Sequence, residues 1–210
     1  MKKNAGISTV MVTGMAAFVS VFAMVLLIVL RSTIYNDSED SKAIAEAEAQ
    51  GASVDNQFKM DVQNAGINVY WDKVNIACVC VEDDIFSVTW FEVARKAVYR
   101  AAMRYPVDNL TSEEKAELAQ KCAKFIIQNP EEVKEEEDKL LLEACKAAKS
   151  SQQTLATGIR AYAVDTGLDN EAVLTLKIEY TDSKNEVQIL DQEYTQAYSG
   201  TALTFRASQK

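Results

Sequence analysis

The stretch Ile7–Leu30, ISTVMVTGMAAFVSVFAMVLLIVL, decides how this chain is organised. Its 24 residues include no charged side chain. As an α-helix it would reach about 36 Å at about 1.5 Å per residue, which exceeds the roughly 30 Å hydrocarbon core of a bilayer. The stretch therefore predicts a transmembrane helix over residues 7–30 and leaves 180 of the 210 residues for a folded domain.

The charges on the two sides of this stretch differ in sign. Lys2 and Lys3 precede it without an acid, whereas Asp37 and Glu39 follow soon after Arg31. Because positive residues favour the cytoplasmic side, we expect a cytoplasmic N-terminus and an extracytoplasmic C-terminal part. The apolar run is also longer than the ~7–15 residues of a secretory signal peptide, which favours a permanent anchor.

Composition excludes several classes of function. The chain has no histidine, so Ser-His-Asp triads, Cys-His dyads and histidine-ligated metal sites are absent. Its formal charge of −9 argues against a nucleic-acid groove. We therefore expect a protein that is not an enzyme, has no catalytic residues, metal or cofactor, and binds no nucleic acid.

The four cysteines, Cys78, Cys80, Cys122 and Cys145, all lie in the C-terminal part. An even number of cysteines in an extracytoplasmic domain favours two disulfides, with free buried thiols and a metal site as alternatives. Cys78 and Cys80 share one face of a strand, so each is expected to bond a helical cysteine rather than its near neighbour. The pairing predicted is Cys78 and Cys80 with Cys122 and Cys145, in either order.

Residues 31–66 predict an amphipathic stalk helix. Small and apolar residues recur there every three or four positions, as on one stripe of a helix. The members of this stripe are Ile44, Ala47, Gly51, Val54, Phe58, Val62 and Ala65. The stripe is thin, so the helix needs packing against the domain or a neighbouring subunit.

The remaining residues, 67–210, predict an extracytoplasmic α+β domain. The period changes to two around Cys78 and Cys80, which indicates a strand covered on both faces. A helix is predicted next, beginning at Ser87 or Thr89 and ending before Pro106. Its expected buried stripe is Trp90, Val93, Ala94, Ala97, Val98 and Ala101.

Two further helices have clear start signals. Thr111 and Glu114 have the spacing of a capping box, and Asn129-Pro130 is expected to begin the following helix, which could extend to Gly167. The chain then alternates in residues 172–180, 186–198 and 201–206. These segments predict a three-stranded antiparallel sheet, with the strand around Cys78 as a candidate neighbour, and helices packed on it.

One turn has the residue types of a cation site. Asp165 and Glu171 bound a segment with several oxygen donors around Gly167. The segment lacks EF-hand spacing, and a turn between elements is the alternative that we favour.

The first thirty residues resemble the leader and hydrophobic helix of type IV pilin-like proteins. The resemblance rests on Lys2-Lys3-Asn4-Ala5-Gly6 followed by Ile7-Ser8-Thr9-Val10 and the apolar run. It implies a short basic leader of residues 1–6, cleaved between Gly6 and Ile7 on the cytoplasmic side.

The layout of the whole chain also resembles minor pilins and pseudopilins, including TadE/TadG-like proteins. Met11 stands where many major pilins have glutamate, so the resemblance implies a minor subunit.

Small residues within the apolar run, with Gly14 and Ala17 central among them, predict a close helix–helix interface in the membrane. We therefore expect a structural, membrane-anchored subunit that assembles with related pilin-like subunits or assembly proteins at the cell surface. The alternative is a single-pass tethered ectodomain that binds a ligand or protein partner without polymerising.

Overall fold

The computed structural model describes residues 4–65, 68–72, 74–82, 84–106, 109–130, 133–166, 171–197 and 204–207. Within these ranges, the side chains of residues 4–14, 16, 17, 64, 65, 82, 166 and 204–207 lie outside the description. The chain divides into two compact units. One consists of Met1–Ala43 with Thr181–Glu186, and the other of Ile44–Tyr180 with Val187–Lys210.

The first element is the helix α1, Asn4–Ala65, which supplies residues to both units. It contains the predicted transmembrane and stalk segments in one uninterrupted element of 62 residues. Residues 66 and 67, where the stalk was predicted to end and the domain to begin, lie outside the described residues.

The larger of two sheets has six described strands, ordered β5-β4-β3-β2-β1-β9. They are β1 (Asn68–Trp71), β2 (Ile76–Glu82), β3 (Ile85–Glu92), β4 (Ala97–Arg104), β5 (Gln153–Thr157) and β9 (Thr204–Ala207). The strands from β1 to β5 pair antiparallel, and β9 pairs parallel with β1. The smaller sheet is ordered β6-β7-β8, with β6 (Ile159–Thr166), β7 (Glu171–Thr181) and β8 (Val187–Ala197).

The six-stranded sheet separates two hydrophobic cores. On one face, alternate residues of β2, β3 and β4 pack against α2 (Ser112–Gln128) and α3 (Glu136–Ser150). On the other face, the intervening residues pack with α1, β6 and β7. The chain is thus an α+β protein with a long apolar N-terminal helix and predominantly antiparallel sheets, as the sequence predicts.

The helix predicted to begin at Ser87 or Thr89 and to end before Pro106 is wrong. This region forms β3 and β4, joined by a short 3-10 turn at Val93–Arg95 and by Lys96 in the left-handed conformation. Both strands are covered on two faces, so their apolar residues lose the alternation that marks a half-buried strand. The spacing of alanine and valine then resembles a helical stripe by coincidence.

The predicted continuation of helix to Gly167 is also wrong. The helix α3 ends at Ser150, and the next residues form β5 and β6. The described part of α3 begins at Glu136 rather than at Asn129-Pro130, and residues 131 and 132 lie outside the description. The third predicted C-terminal strand, β9, joins the larger sheet beside β1, while β6 completes the smaller sheet.

The start of α2 is confirmed in detail. The Thr111 hydroxyl accepts a hydrogen bond from the Glu114 backbone N–H, and the Glu114 carboxylate accepts one from the Thr111 N–H at 2.7 Å. Both bonds satisfy amides that have no partner within the helix. The helix ends at Gln128, and the next residue, Asn129, has a left-handed backbone (φ 47°) and donates its N–H to the Phe125 carbonyl.

Candidate membrane anchor and helix seat

The N-terminal part of α1 carries an apolar surface that no described residue covers. We call residues 7–30 the anchor segment. Its large side chains from Phe18 onward are exposed, from 73% for Phe18 to 48% for Leu26. Among the described residues, α1 is the one helix long and apolar enough to cross a membrane. A contiguous apolar surface of this length is unfavourable in water and requires lipid or other protein around it.

The predicted cleavage and interface residues all lie on this helix. The backbone of α1 begins at Asn4, so Gly6, Ile7, Gly14 and Ala17 are helical. Their side chains lie outside the described residues. Leader cleavage between Gly6 and Ile7, and helix packing at Gly14 and Ala17, therefore stay predictions.

Beyond the anchor segment, α1 is held by the turn between β7 and β8. The Asp40 carboxylate accepts a hydrogen bond from the Ser183 backbone N–H at 2.6 Å. The turn is closed internally by Asp182, whose carboxylate accepts bonds from the N–H groups of Lys184 and Glu186. The turn therefore packs against the polar face of α1 at Asp40.

The C-terminal part of α1 is buried along the predicted stripe. We call this stripe the helix seat, formed by Ala47, Gly51, Val54, Phe58 and Val62. Four of these side chains belong to the core shared with β2, β4, β6 and β7. At Gly51 the helix approaches the smaller sheet so closely that an added Cβ would meet Gln192 Oε1, Tyr194 Oη and Ile178 Cδ1. The stalk helix is therefore stabilised by its own domain along this stretch.

A buried ion pair lies at the end of the helix seat. Asp61 is 5% exposed, and its carboxylate lies 3.7 Å from Arg100 Nη2 on β4. The same carboxylate accepts hydrogen bonds from Gln57 Nε2 at 3.0 Å and Thr89 Oγ1 at 3.3 Å. Arg100 in turn donates to Ser87 Oγ at 3.0 Å. These contacts connect α1 to two adjacent strands.

The electrostatics of Asp61 combine opposing effects. Burial raises the pKa of Asp61 above its ordinary value of 3.8, and the nearby Arg100 charge together with the hydrogen bonds from Gln57 and Thr89 offsets part of that rise. Arg100 Nε is buried and has no hydrogen-bond partner among the described atoms. A buried pair of this kind contributes orientation more than net stability, because desolvation offsets the attraction between its charges.

Asp61 lies in the predicted stalk helix but outside its apolar stripe, and Arg100 lies in the region that was predicted to be a helix. One available signal was the position of Asp61, three residues after Phe58 and next to Val62, which is at the border of the stripe. Arg100 had no such signal, since its role depends on β4 being a strand whose even-numbered residues face α1.

The predicted strand-to-helix disulfides are absent, and all four cysteines are free and buried. Cys78 and Cys80 do share one face of β2, but that face packs against α1 and the smaller sheet. Cys122 and Cys145 lie in the other core, on the far side of the sheet. The prediction was wrong because the helices that carry these cysteines cover the opposite face.

The thiols of β2 have other partners instead. Cys78 Sγ lies 3.2 Å from Tyr162 Oη, and Cys80 Sγ donates to the Asp61 carbonyl at 3.3 Å. Burial raises the pKa of Cys78 to about 12. A thiol of this kind is an unreactive core residue at neutral pH.

The possible cation turn is only partly described. Asp165 is exposed at the end of β6, and residues 167–170 lie outside the described residues. Within the described part of the chain, no group of three or more aspartate, glutamate or cysteine residues is arranged to hold a metal ion.

Comparison with protein-family models, curated proteins and solved structures found no match.

Proposed function

We propose that this chain is a single-pass membrane protein that acts as a structural subunit, a minor pilin-like component of a surface filament or of its assembly machinery. The observation that carries the proposal is the division of α1. Its N-terminal part exposes an uncharged apolar surface, and its C-terminal part belongs to the core of the folded domain. A helix with both properties attaches a folded domain to a bilayer or to a bundle of similar helices.

The orientation in this proposal follows from charge. Lys2 and Lys3 precede the anchor segment, and the acids Asp37, Glu39 and Asp40 follow it. The N-terminus is then cytoplasmic and residues 67–210 are extracytoplasmic. The partners are the membrane and related pilin-like subunits or assembly proteins, and the chain has no enzymatic role, cofactor or nucleic-acid partner.

The first experiment measures leader cleavage. Intact-mass analysis of the full chain isolated from its native membrane should show loss of Met1–Gly6, leaving Ile7 as the first residue. Retention of residues 2–6 would contradict the pilin-like interpretation. It would favour a tethered ectodomain that does not polymerise.

The second experiment tests assembly through the anchor segment. If its small residues pack against neighbouring helices, Gly14→Leu with Ala17→Leu intrudes on a close interface. Overpacking typically costs about 1–3 kcal/mol per site, which is roughly a five- to hundred-fold loss in an assembly equilibrium. The double variant should remain in the membrane at normal abundance but be lost from crosslinked high-molecular-weight species.

The matched control is Val19→Leu with Val25→Leu, which introduces the same side chain at exposed positions that are already large. Crosslinking of this control should equal that of the unmodified chain. If the Gly14 and Ala17 double variant also crosslinks normally at equal expression, the anchor segment is a simple tether.

A further inference from the structure

Two thiols from different helices lie side by side in the core between the six-stranded sheet and the helices α2 and α3. Cys122 on α2 and Cys145 on α3 are 0% and 1% exposed, and their Sγ atoms lie 3.7 Å apart. Cys145 Sγ also lies 3.9 Å from Met103 Sδ on β4. The two sulfurs are in van der Waals contact, so a short movement would bring them to the bond length of about 2.05 Å.

The surroundings of the two cysteines hold them together. Both side chains belong to the core in which α2 and α3 pack on the sheet. A salt bridge between Lys121 and Asp138, at 3.0 Å, links the same two helices near Cys122. Lys149 Nζ also donates to the Ile126 carbonyl at 2.9 Å. The pair is therefore flanked by contacts that fix the approach of the helices.

We propose that Cys122 and Cys145 form a disulfide that links α2 to α3, whereas Cys78 and Cys80 remain thiols. In the reaction, the thiolate of one cysteine attacks a disulfide oxidant such as glutathione disulfide, which releases one glutathione and leaves a mixed disulfide; the second cysteine then attacks this mixed disulfide and displaces the second glutathione. One S–S bond forms in the protein, and the oxidant is reduced to two thiols that take up the two protons. The pairing differs from the strand-to-helix pairing that the sequence predicted.

The other thiols do not have this geometry. Cys78 and Cys80 lie two residues apart on β2, and each contacts an oxygen on the α1 side of the sheet. The sheet stands between them and the cysteines of α2 and α3. Their oxidation would require the strand or the core to rearrange.

Burial also controls when the bond forms. The neighbouring Cys145 thiol and burial both raise the pKa of Cys122 well above its ordinary value of 9.0. The attacking thiolate is scarce in the folded protein, and the oxidant has no access to it. The disulfide should therefore form while α2 and α3 assemble, and should form slowly once the domain has folded.

The test uses the full chain in detergent micelles. The protein is reduced, unfolded in denaturant and refolded in a buffer of glutathione and glutathione disulfide, and free thiols are then alkylated. Peptide mass mapping should find Cys122 linked to Cys145, with a mass loss of two hydrogen atoms. Cys78 and Cys80 should be recovered as alkylated thiols from the same sample.

Cys122→Ala and Cys145→Ala should each abolish the linked peptide, whereas Cys80→Ala should leave its yield unchanged. For protein that refolds poorly, isolated native membranes are incubated with glutathione disulfide at a urea concentration that partly opens the domain to the oxidant, and are then mapped in the same way. Alkylatable Cys122 and Cys145 in oxidised, folded protein would overturn the proposal. So would a linked peptide that contains Cys78 or Cys80. The result does not depend on whether the chain assembles into filaments.

Discussion

The Asp61 carboxylate on α1 lies 3.7 Å from the Arg100 guanidinium on β4, and Asp61 is buried while the Arg100 side chain is 25% exposed. Apolar contacts along the seat have little directional preference, because burial of apolar area is non-directional. The ion pair with Arg100 and the hydrogen bond from Thr89 are directional contacts, because each joins one atom of Asp61 to one specific partner on the strands. We infer that they fix the register of α1 on the strands, as buried polar groups do in some helical assemblies.

Removing the carboxylate should destabilise the domain. Asp61→Ala leaves Arg100 in a mostly buried position without its counter-ion and removes the acceptor for Gln57 and Thr89. Because the Arg100 side chain is 25% exposed and water can reach it, we expect a loss of about 2–3 kcal/mol in the free energy of unfolding. Urea unfolding of the full chain in detergent measures this change.

The control is Glu48→Ala, which removes an exposed carboxylate from the same helix and should change the free energy of unfolding by less than about 0.5 kcal/mol. The double variant Asp61→Leu with Arg100→Met replaces both charges by apolar groups. It should be more stable than Asp61→Ala, since no charge is left unpaired. Equal stability of Asp61→Ala and Glu48→Ala would show that the pair has no structural role.

The raised pKa of Asp61 gives a dependence of stability on pH. Between the unfolded value of 3.8 and the higher folded value, the folded state binds more protons than the unfolded state. The free energy of unfolding therefore falls as pH rises through this interval, and it increases on acidification. Unfolding of the unmodified chain and of Asp61→Asn should be compared from about pH 7 to about pH 4.

The unmodified chain should gain stability relative to Asp61→Asn as the pH is lowered, because the variant has no group that titrates at this position. The difference in the free energy of unfolding between the two proteins at each pH isolates Asp61, because the other acids titrate in both proteins and their contributions cancel. A difference that is constant with pH, or that grows as pH rises, would show that Asp61 is not destabilised by burial in the folded state.

The sequence predicted the features that local physics controls. The helix seat was predictable because only one face of the helix packs against a core, so its buried residues recur every three or four positions in the sequence. The capping box at Thr111 and Glu114 was visible because both partners belong to one turn of chain. The long apolar helix at the N-terminus was predictable from the length of the apolar run and its lack of charge.

The features that were missed depend on contacts between distant segments. The strands β3 and β4 have apolar residues on both faces, because α1 covers one side of the sheet and α2 and α3 cover the other. Their sequences therefore do not alternate between apolar and polar residues, and the strands could not be recognised by a period of two. The thiol positions were missed for the same reason. The alternation of Cys78 and Cys80 was predictable, but which helices cover that face of β2 was not.

Gly51 should tolerate no large side chain. An added Cβ would lie 2.7 Å from Tyr194 Oη and 2.9 Å from Ile178 Cδ1, and it would also meet Gln192. Gly51→Leu therefore forces the smaller sheet away from the helix seat, and overpacking of this kind costs about 1–3 kcal/mol in the free energy of unfolding. Ala52→Leu is the matched control, because Ala52 is the next residue and is exposed.

Thermal or urea unfolding of the two variants separates steric conflict from helix propensity. Leucine favours the helix more than glycine by about 0.8 kcal/mol, so propensity alone would make Gly51→Leu more stable. Destabilisation of Gly51→Leu with an unaffected Ala52→Leu confirms the close approach. A stabilised Gly51→Leu would contradict it.

The anchor segment should lose its hold on the membrane when charge is introduced at its centre. Phe18 and Val21 lie near the middle of residues 7–30, and both side chains are exposed. Arginine near the centre of a transmembrane helix costs about 2.5–3.5 kcal/mol on insertion scales. We expect Phe18→Arg with Val21→Arg to be extracted from membranes at alkaline pH, whereas the unmodified chain stays in the pellet.

Ser38→Arg with Ala45→Arg adds the same charge to exposed positions outside the segment and should stay in the pellet. Extraction of both double variants would indicate a general effect of charge, and retention of the first would indicate that residues 7–30 do not span the bilayer.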